Sequence, residues 1–257
     1  MNLNNKWNYI LEILQNYKDW YIIFFNRLFR IRTQKVNLRD GTILVGGSRN
    51  LIVDLVHEIF IKKVYNPPFM RIKNGDTVVD IGANAGVFCL FALKFGAKRI
   101  IAIEPLKKNI ALVKRNFGLN KSVVPIIIEA AVSFRNGSDK LYLNDLDSQG
   151  SLSAGKGGRE LKKYIIVRSL TLARVLSDYK IKRVDFLKID CEGGEGAIIK
   201  SMNKKGWKKI NRIALEYHDD MSVLSHQQIV KVLRKSNYKT KMSKTGTRIG
   251  YIYAWRA

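Results

Sequence analysis

From about residue 77 onward, short apolar runs alternate with amphipathic stretches. The apolar runs are rich in Val and Ile, which is typical of buried strands. They lie at residues 77–81, 99–104, 123–129, 185–189 and 212–217. Amphipathic helices are predicted at residues 87–95, 106–119, 195–200 and 226–236. Because alternating strands and helices form a mostly parallel sheet covered on both faces, the pattern predicts an α/β, Rossmann-like three-layer fold.

The two ends of the chain depart from this alternation. Apolar residues at helical spacing predict that most of the first thirty residues are helical. Asp40-Gly41 predicts a hairpin, and a helix over residues 51–64 should end before Pro67-Pro68. Two further runs, at 238–241 and 249–255, predict an antiparallel pair that completes the sheet. We therefore expect an N-terminal helical and hairpin extension, residues 1–73, followed by one domain, residues 74–257.

The alternation also breaks between residues 132 and 176. Residues 144–158 are rich in Ser, Gly and Asp, and loops of this length are typical of lids or disordered segments. The sequence predicts an inserted hairpin followed by a mobile loop.

Composition restricts the class of protein. The 257 residues include 46 Lys and Arg against 21 Asp and Glu, a net charge of +25, yet 46% are hydrophobic, which is enough for a core. Cys89 and Cys191 stand apart from each other and from any His cluster, which argues against a disulfide framework or a zinc site. We expect a cytoplasmic protein.

The most apolar early stretch, residues 20–25, is flanked by charges and is shorter than the ~20 residues that span a bilayer. We expect neither export nor a membrane span. The aromatic and basic first helix would suit peripheral membrane contact, although packing on its own domain is the simpler interpretation. The positive charge would also suit weak binding of polyanions such as nucleic acid.

The sharpest local motif is a buried strand that runs into a glycine-rich turn and a helix. Gly82 and Gly86 let a ligand approach the backbone closely. Asp80 ends the strand, and its carboxylate would repel a pyrophosphate but suit an ammonium and a sulfonium group. Glu104, at the end of the next strand, is placed to accept hydrogen bonds from ribose hydroxyls. Together these residues indicate S-adenosylmethionine as the cofactor.

A second cluster follows the strand at 185–189. Asp190, Glu192 and Glu195 lie within six residues at the sheet edge that would hold the cofactor. These acids are candidates for a role in the site, and Asp190 or Glu192 could also cap the helix that Glu195 begins. The two interpretations are compatible.

The runs DIGANAGVFCLFALKFGAKRIIAIEP, EAAV and FLKIDCEGGE resemble the FkbM family of S-adenosylmethionine-dependent methyltransferases. The resemblance implies a cofactor site that includes Asp80, Gly82, Asn84, Gly86, Glu104, Pro105 and Ala131. It places Asp190, Glu192, Gly193 and Glu195 in a second family motif. It also implies methylation of hydroxyl oxygens, often on sugars or secondary metabolites.

A hydroxyl becomes a good nucleophile when a base accepts its proton. The candidates are Asp190, Glu192 and His218, and histidine has the best-matched ordinary pKa for neutral pH. The same groups could instead bind a divalent metal, although no compact ligand motif supports one.

Three functions remain open from the sequence. The leading one is O-methylation of a small-molecule or glycan acceptor. A methyltransferase of RNA or DNA and a non-catalytic binding protein on the same scaffold are the alternatives. Asn66-Pro67-Pro68-Phe69 resembles a nucleic-acid methyltransferase motif, but it precedes the glycine loop and is predicted to be a turn.

Overall fold

The computed structural model describes residues 3–47, 52–143, 150–152, 155–156, 159–160 and 163–256. Its N-terminal part has two helices, a hairpin and a third helix that continues as one π-helical turn, His57–Ile61. These elements are α1 (Leu3–Asn16), α2 (Trp20–Leu28), β1 (Lys35–Asn37), β2 (Ile43–Val45) and α3 (Ile52–Val56).

The predicted N-terminal helix is present but broken into α1 and α2. At the break the Lys18 N–H donates to the carbonyl of Asn37 over 2.7 Å, and the Asp19 carboxylate accepts from the side chain of Asn37 over 2.9 Å. The helix is interrupted because its backbone and an acid bind β1. The hairpin is confirmed, and Gly41 adopts a φ of +87° in its turn.

The rest of the chain alternates strands and helices, as predicted. In order it contains β3 (Thr77–Ile81), α4 (Val87–Lys94), β4 (Arg99–Ile103), α5 (Lys107–Leu119), β5 (Ile126–Ile128), β6 (Ala131–Val132), β7 (Gly137–Leu143), β8 (Gly150–Ser151), β9 (Gly155–Lys156), β10 (Arg159–Glu160), β11 (Tyr164–Leu170), α6 (Leu172–Asp178), β12 (Val184–Ile189), α7 (Glu195–Ser201), α8 (Lys204–Lys208), β13 (Ile210–His218), α9 (His226–Lys235), β14 (Lys239–Lys244) and β15 (Ile249–Trp255).

The main sheet has seven strands in the order β14-β15-β13-β12-β3-β4-β5. The five strands from β13 to β5 are parallel, and β15 is antiparallel to both of its neighbours. The predicted α/β fold with antiparallel C-terminal strands is therefore confirmed. The chain runs outward from β3 to β5 and returns to β12 on the other side of β3. Open α/β sheets bind ligands at such a change of direction.

Two hydrophobic clusters cover the two faces of this sheet, because successive strand residues point to opposite faces. One cluster joins Val78 and Phe186 to α4, α5 and the N-terminal elements. The other joins Val79 and Leu187 to α6, α7, α8 and α9. The first cluster runs across the predicted boundary at residue 73, so the extension packs on the same core, and its status as a separate domain stays a prediction.

The insertion forms a smaller sheet in the order β6-β11-β7-β8, within which β7 is antiparallel to both β11 and β8. Most of the predicted mobile loop, residues 144–149, 153–154 and 157–158, lies outside the described residues. Helices α6 and α8 were not predicted. Within the described ranges, no helix has the length and hydrophobicity needed to cross a membrane.

Candidate active site

A cavity of about 390 Å³ lies at the carboxyl ends of β3, β4 and β12. Its wall includes five of the seven predicted cofactor residues and all three candidate catalytic residues. They are Gly82, Asn84, Glu104, Pro105, Ala131, Asp190, Glu192 and His218. The N-terminal extension contributes Leu55, Glu58 and Ile59 to the same wall. Three segments that are distant in sequence therefore meet at the predicted site.

The glycine loop packs directly against the end of β12. Gly82 has a φ of +79°, and a Cβ on this residue would lie 1.8 Å from the carbonyl oxygen of Asp190. The Asp190 N–H donates to the carbonyl of Ile81 over 3.1 Å, and this bond holds the ends of β12 and β3 together. Gly86 also has a positive φ, +74°, and begins α4 beneath the loop without lining the cavity. Gly82 is thus required by a close backbone approach as well as by its conformation.

Glu104 is buried and organises the loop. Its Oε2 accepts the Asn84 N–H over 2.9 Å, and its Oε1 accepts the Leu106 N–H over 3.0 Å and the Asn109 side-chain amide over 3.1 Å. Burial is the largest influence on its pKa and raises it above the ordinary value. The carboxylate is a fixed hydrogen-bond acceptor on the cavity wall, as the ribose prediction requires, and its direct contact with a ligand stays a prediction.

Asp80 lies beneath the cavity and does not line it. The side chain is fully buried, and its Oδ1 is 3.0 Å from the Nζ of Lys188, which is 3% exposed. Its Oδ2 accepts from the buried thiol of Cys89 over 3.2 Å. The Asp80 charge is therefore balanced inside the protein, and the structure gives it a partner that the sequence analysis overlooked.

Lys188 also links the glycine loop to the second acidic cluster. Its Nζ is 3.3 Å from the Gly82 carbonyl and 3.3 Å from the Oδ2 of Asp190. Burial alone would lower the pKa of Lys188, but Asp80 and Asp190 outweigh it and raise the pKa above its ordinary value. The pKa of Asp190 is lowered despite burial, because Lys188 and His218 favour the carboxylate. Lys188 is thus a buried cation between two acids.

Tyr65 joins two carboxyl groups of the cavity wall. Its hydroxyl is 3.0 Å from Asp190 and 3.2 Å from Glu216. A hydroxyl has one hydrogen, so one of the two contacts needs a proton from the carboxyl group. Burial and the nearby charge of Asp190 raise the pKa of Glu216 to about 9, so Glu216 holds that proton at neutral pH. Tyr65 then donates to Asp190.

His218 follows Glu216 by two residues on β13 and is surrounded by acids. Its Nδ1 is 3.1 Å from the Oε1 of Glu195, and its Nε2 is 3.9 Å from the Oε2 of Glu192. Burial by itself lowers the pKa of His218, but the carboxylates of Glu195 and Glu192 outweigh it and raise the pKa to about 10. The imidazole is protonated at neutral pH. The ordinary pKa of histidine, which made His218 a candidate base, therefore does not describe this residue, because the Glu195 and Glu192 carboxylates stabilise its cation.

The acids that precede α7 are not at its N-cap position. The N-cap is Gly194, which has no side chain to cap the helix, and the Gly196 N–H donates to the Ser222 hydroxyl over 3.0 Å. Capping by Asp190 or Glu192 stays a prediction. Glu195 instead turns back and accepts the Gly193 N–H over 3.0 Å. Glu192 adopts a left-handed φ of +52°, a conformation that non-glycine residues seldom adopt and that is common at functional sites.

Sequence reasoning missed four polar groups of this region: Glu58, Tyr65, Lys188 and Glu216. Glu216 could have been found, since it lies two residues before His218 and so shares its face of the strand. Glu58 and Tyr65 come from the extension and carry no local motif. Among the residues that the structure describes, no three His, Cys, Asp or Glu side chains are grouped so that they could hold a metal ion.

A second cavity, of about 1000 Å³, adjoins the first and shares Leu152 and Met221 with it. It lies between the inserted sheet and α7 and is mostly apolar. Its wall includes Phe134, Tyr142, Ile166 and Val223, with Arg135, Lys140 and Lys200 as basic residues. The two cavities together offer adjacent spaces for two ligands.

The Asn66-Pro67-Pro68-Phe69 run is a turn before β3, as predicted. Asn66 is buried, and its side-chain oxygen accepts the Ile72 N–H over 2.6 Å. None of the four residues lines the first cavity. Their position gives no support to an amino-directed nucleic-acid methyltransferase site.

Comparison with known proteins agrees with this architecture. The sequence profile described as Methyltransferase FkbM domain matches residues 80–240. Methyltransferase 1 of Beauveria bassiana is 28% identical over 208 residues, which cover 72% of this chain and 82% of that protein. The 31-O-demethyl-FK506 methyltransferase FkbM of Streptomyces tacrolimicus is 24% identical over 233 residues, which cover 78% of this chain and 87% of that protein.

The solved structure of Methyltransferase FkbM from Methylobacillus flagellatus has the same fold, with a TM-score of 0.50 and 14% identity over 82% of this chain and 56% of that chain. The family profile spans well over half of the chain, and the predicted family and cofactor are both confirmed. The chain belongs to the FkbM family of methyltransferases, whose methyl donor is S-adenosylmethionine.

Proposed function

We propose that this enzyme transfers the methyl group to a hydroxyl oxygen of a small molecule or glycan. The observation that carries the proposal is that one cavity is lined both by Glu104 and by Asp190, Glu192 and His218. Its acids fit a cationic donor, and its volume lies within the ~300–1,000 Å³ of small-molecule sites.

In this proposal the residues around the first cavity hold the donor. Glu104 would accept hydrogen bonds from the ribose hydroxyls, and Gly82 and Asn84 would shape the backbone beside it. Apolar Pro105 and Ala131 line the same wall and would contact the adenine. The donor, when bound, supplies a methyl carbon activated by a sulfonium charge, so the protein mainly has to position the two reactants.

The second cavity is the proposed acceptor site. It shares Leu152 and Met221 with the donor cavity, and its apolar wall would bind the carbon skeleton of the acceptor. The name of the Streptomyces tacrolimicus relative refers to an O-demethyl compound, which supports oxygen as the acceptor atom.

We propose that Glu192 is the general base that accepts the proton of the acceptor hydroxyl. Asp190 is occupied by Lys188 and Tyr65, and the high pKa of His218 makes it a proton-bearing cation that cannot serve as the base at neutral pH. His218 instead orients the Glu192 carboxylate from 3.9 Å. General bases of this kind contribute about 10²–10⁴-fold to rate.

The donor half of the proposal is tested by calorimetric titration with S-adenosylmethionine, S-adenosylhomocysteine and NAD. We expect selective binding of the two adenosyl ligands and at least about tenfold weaker binding by Glu104→Gln. Glu129→Gln is the matched control, because Glu129 is exposed and outside the cavity. Equal binding by Glu104→Gln and Glu129→Gln would contradict the assignment of Glu104.

The acceptor half is tested with isotopically labelled donor and a panel of hydroxylated compounds, each paired with its amino analogue. We expect the label on oxygen, and a kcat at least about 100-fold lower for Glu192→Gln at saturating donor. Label on nitrogen would overturn the O-directed proposal. An unchanged kcat would remove Glu192 as the base.

A further inference from the structure

Helix α2 and the residues after it expose a continuous set of large apolar side chains. We call them the N-terminal aromatic patch: Tyr21, Ile22, Phe25, Leu28, Phe29 and Ile31. Each is exposed, and Leu28 reaches 77%. Isolated exposed apolar residues are ordinary, but a grouped set marks an interaction surface.

The patch is distinct from the face that holds the helix on the protein. Ile23 is the residue of α2 that is buried in the core. Tyr21, Phe25 and Leu28 follow one another at spacings of four and three, so they share another side of the helix. The rings of Phe25 and Phe29 contact each other, with centroids 4.5 Å apart. The core contacts of α2 therefore leave the patch uncovered.

The segment of chain that carries the patch has charged side chains of one sign. Residues 20–39 contain Arg27, Arg30, Arg32, Lys35 and Arg39, and no Asp or Glu. Arg30 and Arg32 are exposed beside Phe29 and Ile31. A surface that combines large apolar side chains with arginines matches an interface between anionic headgroups and acyl chains.

We propose that the N-terminal aromatic patch binds the surface of an anionic lipid bilayer. At nine residues, α2 is too short to cross the membrane and would lie in the headgroup layer. RNA would pair with the arginines and could stack bases on the aromatic rings, but it would leave the aliphatic side chains of Ile22, Leu28 and Ile31 in water. A second copy of the chain would bring two positive surfaces together.

The test is co-flotation of the full chain with vesicles of phosphatidylcholine alone and of phosphatidylcholine with about one third phosphatidylglycerol. We expect binding to the anionic vesicles that weakens with salt. Phe25→Ser combined with Phe29→Ser should weaken vesicle binding about tenfold or more, because two aromatic rings that would insert into the bilayer are lost. Arg30→Gln combined with Arg32→Gln should weaken it by about fivefold for each charge.

The control variants remove comparable groups elsewhere on the surface. Val123 is 86% exposed, and Lys204 and Lys205 are exposed on α8. Val123→Ser and the pair Lys204→Gln and Lys205→Gln should leave vesicle binding within about twofold. Thermal unfolding of each variant shows whether it is folded.

Three results would overturn the proposal. The first is equal flotation with neutral and anionic vesicles, and the second is equal loss of binding in the patch and control variants. The third is a wild-type dimer, measured by light scattering, that becomes monomeric in Phe25→Ser with Phe29→Ser while no vesicle binds.

Discussion

Replacing Lys188 by methionine removes the cation that balances Asp80. The Asp80 carboxylate is fully buried and 3.0 Å from Lys188, so the variant leaves a charge without its cation inside the core. Breaking a buried ion pair from one side typically costs about 3–5 kcal/mol. Because domains unfold with about 5–15 kcal/mol, this is a large fraction of the total. At about 2–4 °C per kcal/mol, the melting temperature should fall by roughly 6–20 °C.

The assay is urea unfolding at neutral pH, followed by circular dichroism. Asp80→Asn combined with Lys188→Met removes both charges of this pair. It should recover most of the lost free energy of unfolding, because the other partner of Lys188, Asp190, is partly exposed and keeps its hydrogen bond from Tyr65. Lys98→Met is the matched control, since Lys98 is exposed, and it should change the free energy of unfolding by less than about 0.5 kcal/mol. A loss below about 1 kcal/mol in Lys188→Met, or no recovery in the double variant, would refute the reasoning.

Two further predictions concern pH and backbone shape. The pKa of His218 is about 10 in the folded protein against 6.5 in the unfolded chain, so its contribution to stability is complete below about pH 6.5 and is lost as pH rises through 10. Urea unfolding across this range should show a steeper loss of the free energy of unfolding for the wild type than for His218→Gln. Imidazole NMR should find a lower His218 pKa in Glu195→Gln. Gly82→Ala would put a Cβ 1.8 Å from the carbonyl oxygen of Asp190 and should lower the melting temperature. Gly118→Ala in α5, which has open space around it, should raise the melting temperature slightly. The reverse order in a thermal scan would contradict the close-packing argument.

The sequence by itself predicted the layout of the sheet. Alternation of apolar runs and amphipathic stretches fixes strands and helices locally, and the glycine pattern marks the turn after β3. Because parallel strands end at the same edge, the pattern also indicated that Glu104, Asp190 and Glu192 would line one site. The structure brings all three to one cavity wall.

Only the tertiary structure decided the charge state of that site. Asp80 and Lys188 are 108 residues apart, and Tyr65 is 125 residues from Asp190, so no local pattern could pair them. The carboxylates of Glu195 and Glu192, which the fold brings next to His218, make it a cation despite its burial. Periodicity depends on a residue's neighbours along the chain, whereas pKa values and ion pairs depend on whichever groups the fold brings within a few ångströms and shields from water.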